Sequence, residues 1–154
     1  MKIKRFFLTT IGAALATAFS AIPASANPDR ISVLLGTSHI NAQRDFQEFN
    51  PGIFFTWERQ LNYSVGLFYN SYEEISPLVS VGYDYEIASD FDIGAFLAVA
   101  VYPGDGDEFS HSIGDVVPLV GLQARYKNVF TQFIPADGEA LDGLFTFGLT
   151  FELD

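Results

Sequence analysis

The chain has 154 residues, no cysteine, and 8 Lys and Arg against 19 Asp and Glu, giving a formal charge of −11. The lack of cysteine excludes a disulfide framework, a thiolate metal site and a cysteine nucleophile. The acidic balance argues against a nucleic-acid partner and against simple electrostatic attraction to anionic lipid.

Residues 1–26 read as an export signal. Lys2, Lys4 and Arg5 form a positive start, "FFLTTIGAALATAFSAI" an apolar middle, and Ala24 to Ala26 ("ASA") a small-residue cleavage site. The apolar run is short for a membrane anchor. Removing those three cations leaves 5 Lys and Arg against 19 acids, a charge of −14. Residues 27–154 are then expected to form one domain, with no stretch apolar enough for a helical span.

Along that domain the recurring signal is alternation with a period of two, the mark of half-buried strands. Eight strands are expected, at about 31–39, 52–59, 62–71, 76–86, 90–102, 115–126, 127–135 and 143–153. The connections alternate in length. "QLN" (60–62), "EIASD" (86–90) and "YKN" (126–128) are tight, whereas 40–51, 72–76, 103–114 and 135–143 are mostly longer and polar. Outer-membrane up-and-down barrels have this layout, with short periplasmic turns and longer outside loops.

A soluble barrel directs its apolar face inward and a membrane barrel directs it outward. Tyr63, Val65, Leu67, Tyr69, Val79, Val81, Tyr83 and Tyr85 share one parity with Phe91, Ile93, Leu97, Phe145, Phe147 and Phe151. Gly36, Gly52, Gly66, Gly82, Gly94, Gly121 and Gly148 take the other, with Asn62, Ser64, Ser80, Asp84 and Thr150. An eight-stranded lumen is only just wide enough for side chains to fill. The bulky set is therefore expected to face hydrocarbon and the slim set the lumen. The expected fold is all-β, an eight-stranded antiparallel up-and-down outer-membrane β-barrel. Trp57, Tyr63, Tyr85, Phe91 and Tyr126 then form an interfacial girdle beside the short turns, and Tyr69, Tyr72 and Tyr102 a second near the long loops.

Two features at the long-loop end carry candidate chemistry. His39 ends strand one, and Asn70-Ser71 ends strand three. Imidazole titrates near neutrality and activates hydroxyls, so a His–Ser pair suits acyl transfer. Strand two intervenes, however, and spaces the strand axes roughly 10 Å apart. A direct bond needs the loops to fold inward, so the residues alone favour a solvated rim histidine. The acidic third loop (Asp105, Asp107, Glu108 and Asp115) matches no calcium-loop spacing and reads as solvated. No metal site and no cofactor is expected.

The order of these features, His39, Asn70-Ser71, then "ISPLVSVGYDYE" and "VVPLVGLQARYKNVFTQFIP", resembles the outer-membrane lipid A palmitoyltransferase family. The resemblance implies an enzyme moving a palmitoyl chain from a phospholipid to lipid A, with phospholipid and lipopolysaccharide of the outer leaflet as partners. It implies a membrane-embedded monomer. His39 is implied as base, with Ser71 as nucleophile or oxyanion donor. The acyl chain is implied to enter the lumen where prolines interrupt the ladder, at Pro51, Pro118 and Pro135, and to lie against inward glycines such as Gly66 and Gly82. Those glycines are equally explained by close packing in a narrow barrel. Asn70 departs from the family's Asp, and an amide cannot offset an imidazolium's charge; Asp45, Glu48, Glu73 and Glu74 are alternative acids. A non-enzymatic structural or adhesive barrel, or an inactive relative that keeps an acyl-binding lumen, therefore stays open.

Overall fold

A computed structural model of the protein describes residues 27–136 and 140–153. The expected export signal, residues 1–26, lies outside these residues. Eight strands follow one another in sequence: β1 (Arg30–Ile40), β2 (Gly52–Glu58), β3 (Asn62–Tyr69), β4 (Ile75–Ala88), β5 (Phe91–Val101), β6 (Val116–Tyr126), β7 (Val129–Pro135) and β8 (Gly143–Glu152). Each pairs antiparallel with the next, and β1 pairs with β8 to close a barrel. The only helical element among the described residues is one 3₁₀ turn, Gly106–Glu108. The expected all-β, eight-stranded up-and-down barrel is the fold observed.

The tight connections, 59–61, 89–90 and 127–128, lie at one end. Asp90 and Lys127 take φ of 68° and 52°, the left-handed conformation that a two-residue hairpin turn needs. The four longer connections gather at the other mouth.

The ladder is uneven. β1 and β8 pair from Arg30↔Glu152 to Ile40↔Gly143, but β1 and β2 pair only from Arg30↔Thr56 to Leu34↔Gly52. β6 starts at Val116, yet its pairing with β7 ends at Leu122↔Phe133. Two neighbouring strand pairs thus part in their upper halves, toward the long loops.

Sidedness follows the expected alternation over most of the barrel. Leu67, Tyr83, Tyr85, Leu97, Val120, Leu122, Phe145, Phe147 and Phe151 are exposed on the outside. Ser32, Thr56, Ser64, Ser80, Asp84, Gln132 and Thr150 line the interior. Three expectations need correction. Gly36 pairs with the outward Phe147, because the β1–β8 register slips between Leu34 and Gly36, so it faces out rather than in. The lumen is not lined by slim residues alone, since Phe54, Phe68, Phe96 and Phe130 also turn inward. Tyr72 and Tyr102 pack with Phe68 and Phe109 inside the mouth and form no outer girdle.

Inward glycines make room for those inward phenyl rings. In the ladder Phe54 lies opposite Gly66, Phe68 opposite Gly52, Phe96 opposite both Gly82 and Gly121, and Phe130 opposite Gly148. A Cβ on Gly121 would stand 2.5 Å from Phe96 Cζ, and one on Gly148 2.7 Å from Phe130 Cε1. One large and one absent side chain at each level fill a narrow tube to interior density.

The short-turn end is closed by polar groups. Arg30 pairs with Glu58 at 2.7 Å and Glu152 at 2.9 Å. Arg125 pairs with Asp92 at 2.8 Å and reaches Glu58 at 3.3 Å. Asn62 and Gln123 donate to Asp84, Gln132 donates to Gln123, and Thr146 donates to Gln132. Residues of all eight strands join this network, so the barrel is plugged rather than open.

Gly121→Val tests the complementarity. It should lower stability by about 1–3 kcal/mol through overpacking. Adding Phe96→Leu should recover part of that loss, measured by urea unfolding of the refolded barrel in lipid.

Candidate functional site at the long-loop mouth

One extra residue in β1 decides where His39 points. Ser32 and Leu34 face the lumen, and uninterrupted alternation would send His39 outward. The bulge at Leu35 reverses the phase, as a one-residue insertion must. Thr37, paired with Thr146, then faces inward and is buried; Ser38 faces out; His39, paired with Leu144, faces in.

The following loop, 41–51, occupies the place that a longer β2 would take. Thr37 N donates to Glu48 O at 2.8 Å, and Gln47 N donates to Ser71 O at 3.3 Å. The loop therefore bridges β1 to the end of β3 across the parted ladder. Gly36 permits this approach, since a Cβ there would lie 2.8 Å from Glu48 O.

His39 and Ser71 meet under this loop. His39 Nε2 and Ser71 Oγ are 2.9 Å apart. The separation of strands one and three, which favours a solvated histidine, is overcome because β2 begins only at Gly52 and the bulge turns the imidazole inward. The imidazole stacks on Phe46, with centroids 4.7 Å apart and planes 17° apart. Phe46 meets Tyr72 edge-on. Arg44 lies 4.9 Å over Phe46 and 5.2 Å over Tyr72, and pairs with Glu108 at 2.7 Å. The hydrogen bond to Glu108 first, against some desolvation, raises the Arg44 pKa further above its ordinary value. Burial pushes the Tyr72 phenol up. Loop one is thus latched to the third long loop by a guanidinium sandwiched among rings.

Asn70 does not stand where a triad acid would. Its side chain is fully buried; Nδ2 donates to Ser76 Oγ at 2.9 Å, and Oδ1 accepts from the Tyr72 and Glu74 backbone N–H groups. It shapes the turn that presents Ser71, a usual task for an Asn side chain. His39 Nδ1 is buried and makes no hydrogen bond among the described residues. Of the four alternative acids, Glu48 acts on His39 electrostatically, without a hydrogen bond to it. The arrangement is a dyad. With the ring protonated at Nδ1, Nε2 accepts the Ser71 O–H, which makes the hydroxyl a better nucleophile.

The prolines sit where the ladder lapses. Pro118 belongs to the part of β6 that has run beyond β7. Pro135 is the last β7 residue, paired with Gly143 of β8. Pro51 immediately precedes β2, and its carbonyl accepts from Tyr69 N at 2.8 Å. A residue without an N–H is tolerated where no neighbour needs one. Gly66 and Gly82 both face the lumen, Gly66 beneath the Phe54 ring and Gly82 on the wall of a cavity of about 110 Å³. That cavity, bounded by Phe54, Leu78, Phe96, Phe130 and Ile134 above the charged floor, is small beside ligand pockets of roughly 300–1,000 Å³. Among the described residues no group of His, Asp and Glu is placed to hold a metal ion.

Fold and site together define a closed eight-stranded β-barrel that carries a His–Ser dyad beneath a latched loop at one mouth. No protein-family model matches the chain, and no curated protein matches it.

Loop one contains a single tryptic site, Arg44. Phe46→Ala removes the stacking surface for both His39 and Arg44, and should raise the rate of trypsin cleavage after Arg44 about tenfold, as for an opening made roughly 1.4 kcal/mol easier. Timed digestion of the refolded protein measures this.

Proposed function

We propose that the protein is an outer-membrane lipid acyltransferase, moving a palmitoyl chain from a glycerophospholipid of the outer leaflet to lipid A. The observation that carries this reading is the 2.9 Å hydrogen bond between His39 and Ser71. It lies at the mouth with the longer loops, which in an outer-membrane barrel is the outer face. The exposed outward residues supply the apolar band that hydrocarbon requires. A surface of that extent is unusual on a soluble monomer.

In this reading the chain inserts sideways, through the upper halves of β1/β2 or β6/β7, where backbone pairing lapses beside Pro51, Pro118 and Pro135. It lies against the inward glycines, and it must displace the Phe54 and Phe96 rings, since the space between them is narrow. His39 acts as base in either of two sequences. It takes the proton of Ser71 Oγ as that oxygen attacks the ester carbonyl, returns it to the departing glycerol oxygen, and then activates the lipid A hydroxyl. Alternatively it activates the lipid A hydroxyl directly, and Ser71 O–H donates to the developing oxyanion. The loss of a carboxylate behind His39 leaves orientation of the ring to Phe46 stacking.

The competing reading is a non-enzymatic barrel, or a relative that binds an acyl chain without transferring it. One observation favours it: His39 Nδ1 has no carboxylate to stabilise an imidazolium.

Lipid A mass spectrometry separates them. Expressed in a strain lacking its own palmitoyltransferase, the protein should add one palmitoyl mass to lipid A. His39→Ala and Ser71→Ala should each cut that product at least about 100-fold while heat-modifiable gel migration is kept. No added mass from folded wild type supports the competitor.

A further inference from the structure

Asn50 is the second polar oddity of the mouth. It is 1% exposed, and neither Nδ2 nor Oδ1 makes a hydrogen bond among the described residues. Buried amides are nearly always paired, so both a donor and an acceptor are on offer here.

Its position follows from the ladder. Gly52 pairs with Phe68, and the Tyr69 N to Pro51 O bond extends that pairing one step further. Asn50 therefore comes opposite Asn70, the residue before Ser71. Inward and outward positions alternate through Phe54, Ile53, Gly52 and Pro51, and Asn50 falls on the inward side. From the other flank, the Thr37 N to Glu48 O bond holds the same segment two residues from His39. Thus, among the described residues, the three buried side-chain atoms without a partner, His39 Nδ1, Asn50 Nδ2 and Asn50 Oδ1, belong to residues of one layer of the mouth, under loop one and beside the β1/β2 parting.

We infer that the Asn50 carboxamide is a binding group for the ester linkage of a lipid, with Nδ2 donating to the ester carbonyl. This rests on the acyl-transfer reading for the choice of lipid. The layer fits an ester: an apolar wall of Phe54 and Phe68 lies below it, the parted strands beside it, and the Ser71 hydroxyl above. A chain entering the lumen from the side carries its ester into this level. The Asn50 amide, without a partner among the described residues, is paired when lipid is bound.

The test uses the mature chain in nanodiscs made wholly of diether phosphatidylcholine, into which diacyl phosphatidylcholine of the same chain length is titrated. The two lipids differ in the ester carbonyls alone. Side-chain amide resonances of ¹⁵N-labelled protein, with Asn50 assigned by their loss in Asn50→Leu, report binding without any turnover. The expected result is a shift of the Asn50 amide at low diacyl fraction, with a preference for ester over ether of about tenfold. Asn50→Leu, and Asn50→Asp if the first does not fold, should lose that preference with the barrel spectrum intact, the preference being read in these variants from the side-chain amide of Asn70, which lies opposite. An Asn50 amide unmoved by diacyl lipid, or a preference undiminished in either variant, overturns the inference. Ester preference without lipid A product would keep this site and remove the acyl-transfer reading; product with full activity in Asn50→Leu would do the reverse.

Discussion

Everything in this structure depends on how little room eight strands enclose. A barrel of this size has no free edge and a lumen that its own side chains fill, so each inward position is decided by what stands opposite. The glycine–phenylalanine levels are one answer to that constraint, and the charged floor is another. Arg30 and Arg125 share Glu58, and four further strands join through Asn62, Asp84, Asp92 and Gln132. A closed ladder with a plugged end leaves two seams where the wall can part, the upper halves of β1/β2 and β6/β7. The candidate site lies beside the first of these.

The site itself is built from departures from regular structure. A bulge at Leu35 rotates the end of β1 by one side-chain phase. A late start to β2 leaves a gap that loop one spans. Asn70 spends its amide on a turn. None of these is a chemical group acting on a substrate, yet together they bring an imidazole and a hydroxyl from strands that do not touch to 2.9 Å. Carrying reactive groups on a strand end and a turn at the rim of a closed barrel is the usual placement of function on a rigid scaffold. The ring stack from Arg44 through Phe46 to His39 then replaces part of the orientation that a carboxylate on Nδ1 would give.

Much of this was legible in the sequence, for physical reasons. The period of two is imposed by the pleat, so all eight strands and their short and long connections could be read from apolar spacing and turn residues. Sidedness could be read too, on strands where alternation is unbroken, such as β3, β5 and β8. Gly36 falls on the wrong face in a parity count because a bulge leaves no sign there; the signal is in the register with β8, which a single strand does not contain. Phe54, Phe96 and Phe130 do not read as lumen residues when volume is summed over a face rather than over facing pairs. Each has a glycine opposite on a neighbouring strand, and that pairing could have found them. Strand spacing argues against the His39–Ser71 bond, and it holds only until the intervening strand stops short. Asn50, one residue before Pro51, reads as ordinary loop punctuation and carries no sequence signal of burial.

The central claim is that β1 changes phase at Leu35, so that His39 looks into the barrel, whose outer face is proposed to meet lipid. The absence of cysteine allows a direct measurement: single cysteines at positions 31–39, spin-labelled in vesicles, with accessibility to oxygen read at each. The account predicts high oxygen accessibility at 31, 33, 35 and 38 and low accessibility at 32, 34, 37 and 39, with position 36 left as glycine because loop one lies against it. Unbroken alternation through 35, with position 39 as exposed to oxygen as 33, would contradict it.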